Sequence, residues 1–306
     1  MMNNELKIDD LRQQIIDTGI EMLRSGLVAR TWGNVSARVD DIHFLITPSG
    51  LDYNSTTPSE IVLCDRINNT FEGIRKPSGE IGVHSAAYEI FEDAGFVIHT
   101  HQTFASAIGV YGFDKLDITE EEISILGGIA EAEYGLPGSF ELKDAVKKCY
   151  ESGAHTVLMK HHGAITVGVS KEDAFKKIYL LEEICRRNCS GLVDNEKAIV
   201  TYAKTGKSLI AQLDDMAQMI GRKIPVVKDI EKGLKKYNAV IIKGKGIFVK
   251  GIDEDDTKAL EILVEKAAVT ALHTMAAGVN NRLSLIDCWK MNYTYKTKYS
   301  KQKSGK

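Results

Sequence analysis

The chain has 306 residues, of which 43% are apolar and 26% are charged, and its formal net charge is −3. This composition fits a folded protein with a sizeable core and argues against nucleic acid or membrane lipid as the main partner. The first segment is polar and acidic, and no apolar run approaches the ~18 residues of a membrane span, so we expect neither a signal peptide nor a membrane helix. Five cysteines without a Cys-x-x-Cys pair are typical of reduced thiols, and we expect a cytoplasmic protein.

Helical and strand-like patterns predict one mixed α/β domain of about two hundred residues. Apolar residues at helical spacing predict a helix over 8–25 that ends at Gly26. Ser78 is a plausible N-cap for a second helix that runs to about Phe91, with Glu80 in its first turn. Further helices are predicted near 102–110 and over 141–152 and 171–189, and strands over 42–50, 60–65, 70–75, 96–101 and 156–168.

The last third of the chain repeats part of this order. Residues 156–183 resemble 239–266 at a constant offset of 83, although any strand–glycine–strand–helix segment would look similar without a duplication. Gly244 and Lys245 stand where the first copy has two histidines, so the second copy cannot hold the same metal site. We therefore expect a catalytic domain over 1–195, an α/β extension over 196–290 that can be interpreted as a degenerate partial repeat, and a solvated basic tail over 291–306.

Three histidines in two strand-like segments are the most informative chemical feature. His99 and His101 are two residues apart in FVIHTH, so a strand would project both imidazoles to the same face. His162 directly precedes Gly163, whose missing Cβ lets the backbone pass close to the other ligands. Three imidazoles with one open position form a common type of catalytic zinc site, although histidines with satisfied nitrogens are also common in protein cores.

Three short polar loops have the composition of an anion-binding site. Asn34 lies in TWGNVSAR, Ser49 and Gly50 end ITPSG, and Glu80 opens a helix directly after KPSG. Backbone N–H groups at a helix start, together with hydroxyl and amide side chains, bind phosphate without requiring a lysine. Each loop alone is more typical of an ordinary turn, so the prediction depends on their combination.

Five motifs occur in one order along the chain: TWGNVSAR, ITPSG, KPSGE, HTH and KHHG. In this order and rough spacing they resemble the class II aldolase/adducin family over about residues 8–190. The resemblance implies an α/β fold, a three-layer domain with a central mixed, largely antiparallel sheet. It leaves the last third of the chain unexplained, and there we expect a smaller α/β C-terminal extension.

The resemblance implies a role for each matching residue. His99, His101 and His162 match the metal ligands, and His162 is chosen over His161 because the family's ligand directly precedes the glycine. Glu80 matches the catalytic acid/base. The implied cofactor is Zn²⁺, one ion per chain, although this ligand set also suits Mn²⁺ or Co²⁺. The family's phosphate-binding positions fall on Asn34, Ser49, Gly50, Ser78 and Gly79.

The implied function is that of a zinc-dependent aldolase. By resemblance, the enzyme cleaves a small ketose 1-phosphate of the fuculose type to dihydroxyacetone phosphate and an aldehyde through a metal-stabilised enediolate. The family's epimerases carry aspartate at the position of Glu80, which argues against epimerisation. The alternatives are a sugar-phosphate dehydratase or decarboxylase on the same scaffold, and a non-enzymatic adducin-like interaction module. The implied partners are a small phosphorylated sugar and further copies of this chain in a homo-oligomer, a tetramer by resemblance.

Two departures from the family pattern concern the substrate-binding half of the site. The family's aldolases carry two adjacent serines before the glutamate, where this chain has Ser78 and Gly79. They also use a tyrosine of the adjacent subunit as a proton donor, and the matching place here, near Glu121 in ITEEEISILGG, has no tyrosine. The sequence therefore predicts the metal ligands and the catalytic glutamate more fully than the groups that contact the phosphate and the aldehyde part of the substrate.

Overall fold

The computed structural model describes residues 2–30 and 32–299, which fall into two compact units. The first unit contains the described residues up to Gln102 and Asp117–Ile184, and the second contains Thr103–Leu116 and the described residues from Cys185 onward. The strands are, in chain order, β1 (Asn34–Arg38), β2 (His43–Ile46), β3 (Val62–Asp65), β4 (Thr70–Glu72), β5 (Phe96–Thr100), β6 (Ile129–Ala132), β7 (Thr156–Met159), β8 (Gly163–Gly168), β9 (Leu209–Ile210), β10 (Lys223–Ile224), β11 (Ala239–Ile242) and β12 (Gly246–Val249). The helices are α1 (Met2–Arg24), α2 (Ile81–Ile90), α3 (Thr103–Tyr111), α4 (Glu120–Leu126), α5 (Phe140–Glu151), α6 (Lys171–Asn188), α7 (Ala198–Lys204), α8 (Asp214–Met219), α9 (Ile230–Leu234), α10 (Glu254–Ala276) and α11 (Leu285–Thr294).

One sheet organises the first unit, and its strand order in the described residues is β4-β3-β2-β1-β5-β8-β7-β6. Its neighbouring strands are antiparallel, except that β6 and β7 are parallel. Helices α2 and α5 share an apolar core with one face of this sheet, and α1 and α6 share a second core with the other face. The predicted α/β fold, three layers around a mixed and largely antiparallel sheet, is therefore confirmed.

Successive residues of the central strands enter opposite cores, as the pleat of a β-strand requires. Phe44 and Val97 belong to the core beneath α2 and α5, whereas Leu45 and Ile98 belong to the core beneath α1 and α6. All four side chains are at most 1% exposed. Burying a side chain of this size contributes about 1.5–3 kcal/mol. Because β5 is buried on both faces, the histidines at its end lie in a region with little water.

The start of α2 differs from the sequence prediction. The prediction of Ser78 as N-cap is wrong, because α2 begins at Ile81 and Glu80 occupies the N-cap position without a side-chain capping bond. The Ser78 hydroxyl accepts instead a hydrogen bond from the Glu80 N–H at 3.3 Å, and the Ser78 carbonyl accepts one from the Ile81 N–H at 3.1 Å. Ser78 therefore stabilises a turn before the helix, and the Glu80 carboxylate is not used to cap its own helix.

Three elements of the first unit were missed by the sequence patterns, namely β1, α4 and β6, and Asn34, which was placed in a polar loop, is the first residue of β1. A reciprocal capping box starts α4, in which the Thr119 hydroxyl accepts from the Glu122 N–H and the Glu122 carboxylate accepts from the Thr119 N–H. Gly127 ends the helix in the left-handed region with φ 69°. The strand β6 then follows after only one further residue. Helix α4 has seven residues and strand β6 has four, so both are too short to show a clear apolar period.

The second unit contains two small antiparallel sheets, β9 with β10 and β11 with β12. The long helix α10 begins behind Asp253, whose carboxylate accepts a hydrogen bond from the Asp256 N–H at 2.7 Å. A buried ion pair joins the Lys266 ammonium of α10 to the Asp215 carboxylate of α8. None of the helices that the structure describes has a stretch apolar enough for a membrane span.

The tail that was predicted over 291–306 begins inside a helix. Met291 is 6% exposed and lies in α11, which ends at Thr294. A π-helical turn follows over Tyr295–Tyr299. Residues 300–306, the lysine-rich remainder of the predicted tail, lie outside the described residues.

The two similar sequence segments adopt similar local structures. The strands β7 and β8 and the helix α6 start 83 positions before β11, β12 and α10 respectively. In both segments an aspartate of the first helical turn accepts a hydrogen bond from the N–H four residues earlier, Asp173 from Val169 and Asp256 from Ile252, each at 3.1 Å. These correspondences are what a partial repeat requires, and the repeat itself stays a prediction.

A substitution at Gly163 tests how closely β8 must approach the end of β5. A Cβ added at Gly163 would lie 2.2 Å from the Thr100 carbonyl oxygen, so the backbone would have to move. We expect Gly163→Ala to lower the free energy of unfolding by about 1–3 kcal/mol in urea denaturation. The control is Gly82→Ala in α2, where the added Cβ meets only the flexible Lys143 side chain at 3.1 Å. Equal losses in both variants, or none in Gly163→Ala, would contradict the close approach.

Candidate metal centre

Two neighbouring strands of the sheet carry the three histidines to one place. His99 lies in β5 opposite Ile165 of β8, and His101 follows the last residue of β5. His162 directly precedes β8, at the end of the tight turn that leaves β7. His161 takes a left-handed backbone conformation with φ 62°, which turns the chain back toward β8. The turn and the strand pairing together bring residues about sixty positions apart into contact.

Four side chains converge at this place: Glu80, His99, His101 and His162. One ligand atom from each lies within 4.8 Å of all the others. The His99 Nε2 is 3.0 Å from the His101 Nε2 and 3.1 Å from the His162 Nε2. Zinc holds imidazole nitrogens at about 2.0–2.1 Å, which places neighbouring tetrahedral ligands about 3.4 Å apart. The observed separations are close to that value, so the donor set fits a single divalent ion.

The orientation of His99 favours the same interpretation. Its Nδ1 lies 2.9 Å from the Ala164 carbonyl oxygen, which can only accept a hydrogen bond. The proton of a neutral His99 therefore resides on Nδ1, and the lone pair of Nε2 faces the other two histidines. A backbone carbonyl that fixes the tautomer in this way is typical of metal-binding histidines.

His161 does not join the cluster. Its ring packs edge-to-face on the ring of Tyr134, with a centroid distance of 5.5 Å. His162, which is 2% exposed, is the histidine of the pair that faces His99. The structure therefore brings together all three histidines that the sequence singled out, and it leaves the neighbouring histidine outside.

Glu80 reaches the histidines from the start of α2. Its Oε1 lies 3.0 Å from the His162 Nε2, and its Oε2 lies 3.2 Å from the His99 Nε2. The Asn34 amide donates a hydrogen bond to Oε2 at 2.9 Å. Burial alone would raise the pKa of Glu80, but the charges and hydrogen bonds of His99 and His162 hold this pKa well below its ordinary value. The carboxylate is therefore ionised and can accept a proton.

The predicted phosphate-binding loops meet at one end of the sheet. The segments around Pro48 and Pro77 pair antiparallel, because the Ser49 N–H donates to the Lys76 carbonyl and the Ser78 N–H donates to the Thr47 carbonyl, both at 3.0 Å. These bonds use the backbone donors of the two serines, and the Ser78 hydroxyl, which accepts from the Glu80 N–H, can still donate its own proton. Gly50 and Gly79 are exposed residues, and within the part of the chain that the structure describes their N–H groups donate to no acceptor.

Asn34 has an additional partner, and the region near Glu121 lies apart from the clustered residues. Asn34, which matches a phosphate-binding position, donates to Glu80, so one of its two amide hydrogens already has a partner. Glu121, near which the family's tyrosine is expected, has an exposed side chain in the first turn of α4 and is not one of the clustered residues.

Sequence reasoning missed the polar residues behind Asn34. His84 lies one helical turn after Glu80, and its Nε2 contacts the Asn34 carbonyl oxygen. Ser36 and Tyr88 continue this contact into the core. The available signal was the spacing on α2, where Glu80, His84 and Tyr88 follow one another at intervals of four residues and so share one face.

Comparisons with known proteins identify the family of the chain. The family model "Class II Aldolase and Adducin N-terminal domain" matches residues 13–189. An L-fuculose phosphate aldolase of Escherichia coli is 37% identical over 176 residues, which are 57% of this chain and 79% of the relative. An L-ribulose-5-phosphate 4-epimerase of Salmonella paratyphi B is 30% identical over 191 residues, which are 58% of this chain and 82% of the relative.

A solved structure gives the same result for the fold. An L-fuculose 1-phosphate aldolase matches with a TM-score of 0.54 and 29% identity, and the match covers 58% of this chain and 84% of that protein. The family model ends at residue 189, so nearly all of the second unit lies beyond it, apart from the segment that contains α3.

The two adjacent histidines of KHHG provide a matched test of the metal ligands. We expect His162→Gln to lose most of the bound metal, because it removes one of three converging nitrogens. We expect His161→Asn to keep one metal ion per chain, because its side chain lies outside the cluster and asparagine tolerates the left-handed backbone. Metal content after exhaustive dialysis, measured by mass spectrometry, checks both. A fully loaded His162→Gln protein would contradict the ligand assignment.

Proposed function

The chain belongs to the class II aldolase family and is a metal-dependent lyase, and we propose that it cleaves a small ketose 1-phosphate to dihydroxyacetone phosphate and an aldehyde. A substrate of the fuculose 1-phosphate type is supported by the similarity to L-fuculose phosphate aldolase. The observation that carries the proposal is the convergence of Glu80 with three histidine Nε2 atoms beside the polar loops. Such a site combines a proton carrier with a place for a Lewis acid.

The proposed cofactor is one zinc ion per chain, held by His99, His101 and His162. When bound there, a divalent ion supplies the positive charge that stabilises the negative charge developing on the substrate oxygens during C–C cleavage. Imidazole nitrogens at tetrahedral separations favour zinc, and manganese or cobalt can occupy the same donor set. No lysine is required to form a Schiff base in such a site.

Glu80 is the proposed proton carrier. Its ionised carboxylate lies beside the histidines and is 12% exposed, so little water competes for it. In the cleavage direction the carboxylate takes up the proton of the hydroxyl that becomes the aldehyde while the C–C bond breaks, and it then gives this proton to the carbon that gains the electron pair of that bond. In the condensation direction both proton transfers run in reverse. General acid–base catalysis of this kind contributes about 10²–10⁴-fold to the rate.

The two pairs of loop residues are the proposed phosphate site. Ser49 and Ser78 offer hydroxyls, and the exposed residues Gly50 and Gly79 offer backbone N–H groups. Gly50 has φ 70°, a left-handed conformation that glycine adopts without strain, and this conformation shapes the loop. The second amide hydrogen of Asn34 completes the set of donors. With Gly79 in place of a serine, phosphate binding relies on backbone N–H groups more than in the family's aldolases.

The sequence and the comparisons leave alternatives that one assay separates. The epimerase relative shares 30% identity, but Glu80 in place of aspartate argues against epimerisation. Release of dihydroxyacetone phosphate from a panel of ketose 1-phosphates supports the aldolase. A product with all carbons retained supports a dehydratase or an epimerase, and carbon dioxide release supports a decarboxylase. A purified protein that binds no divalent metal would support an adducin-like interaction module.

The proposed assembly rests on the resemblance, whereas the proposed location and the proposed partners rest also on the cysteines and the composition of the sequence. We propose a cytoplasmic homo-oligomer, a tetramer, that takes a small phosphorylated sugar and has no nucleic acid or membrane partner. Multi-angle light scattering gives the mass of the assembly, and a monomer in solution would contradict this proposal.

Glu80→Gln tests the proton carrier. We expect the variant to keep its metal, because the three histidines remain, and to lose turnover about 10²–10⁴-fold, because an amide cannot accept the proton. Dihydroxyacetone phosphate release and metal content are measured on the same sample. The matched control is Glu89→Gln on the same helix, whose exposed carboxylate pairs only with Lys147. Full turnover in Glu80→Gln would show that another group carries the proton.

A further inference from the structure

We propose that a buried chain of hydrogen bonds, running from Tyr88 through Ser36 and His84 to Asn34, fixes the Asn34 amide so that its NH₂ group faces Glu80. The backbone of Asn34 pairs with that of His99 between β1 and β5, and the side chains of the polar chain act on the reaction through the position of Glu80. The catalytic part of this proposal rests on the proposed function, whereas the hydrogen-bond directions can be tested without any substrate.

The polar chain joins strand β1 to helix α2 across the core. The Ser36 hydroxyl lies 2.8 Å from the Tyr88 hydroxyl and 2.7 Å from the His84 Nδ1. The His84 Nε2 contacts the Asn34 Oδ1, and the Asn34 Nδ2 donates to the Glu80 Oε2 at 2.9 Å. Ser36 and His84 are 0% exposed, Tyr88 is 3% exposed and Asn34 is 5% exposed. Water therefore cannot replace any of these bonds without opening the core.

The chemistry of each group determines the direction of every bond. The Asn34 Nδ2 donates to the Glu80 Oε2, and the Asn34 carbonyl oxygen therefore faces His84. That oxygen only accepts, so His84 carries its proton on Nε2. A neutral imidazole then has its lone pair on Nδ1, which accepts from the Ser36 hydroxyl. The Ser36 oxygen accepts in turn from the Tyr88 hydroxyl, which ends the polar chain.

Burial keeps His84 and Tyr88 in the protonation states that these hydrogen-bond directions require. Burial, with a smaller effect of the charge of His99, lowers the pKa of His84 to about 3, so its imidazole is neutral at physiological pH. Burial also raises the pKa of Tyr88, so its phenol keeps the proton that it donates. The guanidinium of Arg38 stacks 5.1 Å above the Tyr88 ring and donates to the Tyr88 carbonyl at 3.1 Å, which holds this residue in place.

The alternative amide orientation shows why the polar chain matters. If Asn34 were rotated by half a turn, its carbonyl oxygen would face the Glu80 carboxylate, and two acceptors would repel each other in a region with little water. A His84 with its proton on Nδ1 would favour that orientation, because its Nε2 would then need a donor. The Ser36 hydroxyl prevents this by donating to Nδ1. Ser36, His84 and Tyr88 are therefore positioning residues for Glu80.

The first experiment determines which nitrogen of His84 carries the proton. In protein labelled with ¹⁵N-histidine, two-bond ¹⁵N–¹H spectra distinguish a proton on Nε2 from a proton on Nδ1. We expect His84 to be neutral with its proton on Nε2 from pH 6 to 9, and we expect Ser36→Ala to shift it toward the other tautomer. A charged His84, or a proton on Nδ1 in the unaltered chain, would overturn the proposal.

The second experiment measures how substitutions in the polar chain change kcat and KM. We expect Ser36→Ala to lower kcat about tenfold and Tyr88→Phe about threefold, with KM changed by less than about twofold, because Glu80 is misplaced while the loops are intact. The control is Tyr150→Phe, which removes another buried hydroxyl of the same core that has no hydrogen-bond partner in the described residues. Equal losses in all three variants would indicate a purely structural role and overturn the proposal.

A rescue variant separates positioning from packing. We expect His84→Gln to keep most of kcat, because its amide nitrogen can donate from the place of Nε2, whereas His84→Leu loses it. Metal content and thermal unfolding are measured for each variant, and only those that keep both are compared. Equal turnover of the glutamine and leucine variants would contradict the proposal. If no ketose 1-phosphate is cleaved by the unaltered chain, the proposed function fails, and the tautomer of His84 still decides whether the polar chain exists.

Discussion

The site depends on holding three imidazole nitrogens and one carboxylate together where almost no water reaches them. His99 is fully buried and His162 is 2% exposed, so their facing lone pairs cannot be separated by solvent. Such groups repel one another unless a cation or a proton lies between them. The sheet provides the opposing constraint: the pairing of β5 with β8, the turn at His161 and the bond from His99 to the Ala164 carbonyl oxygen keep the donors together.

Much of this arrangement was predictable, because short-range patterns determine it. The spacing of His99 and His101 indicated a shared direction, and the glycine after His162 indicated a close approach, which the short distance to the Thr100 carbonyl oxygen now explains. The five ordered motifs indicated the family, and the family model covers the same region. The three-layer arrangement of helices around the sheet was predictable because proteins of one family share a fold.

The rest could not be predicted, because it depends on contacts between distant residues. Serine is a preferred N-cap residue, yet the Ser78 hydroxyl accepts a hydrogen bond within the turn before the helix. No local sequence pattern distinguishes these two roles. His84 contacts Asn34 across 50 positions of sequence, so its role appears only when β1 and α2 are packed together. In the second unit, the buried pair of Lys266 and Asp215 joins residues 51 positions apart, and neither lies in a recognisable motif.

The pairing of β5 with β8 also bears on how the chain folds. It joins His99 to residues 65 positions away, and contacts at this separation form late because a long loop must close first. A slip of one residue would turn His99 toward the opposite core and remove it from the other donors. An ion that binds only the complete donor set lowers the free energy of the correct register and of no other. A divalent ion held by the four clustered side chains would therefore stabilise the native register of β5 and β8 against a register that is shifted by one residue.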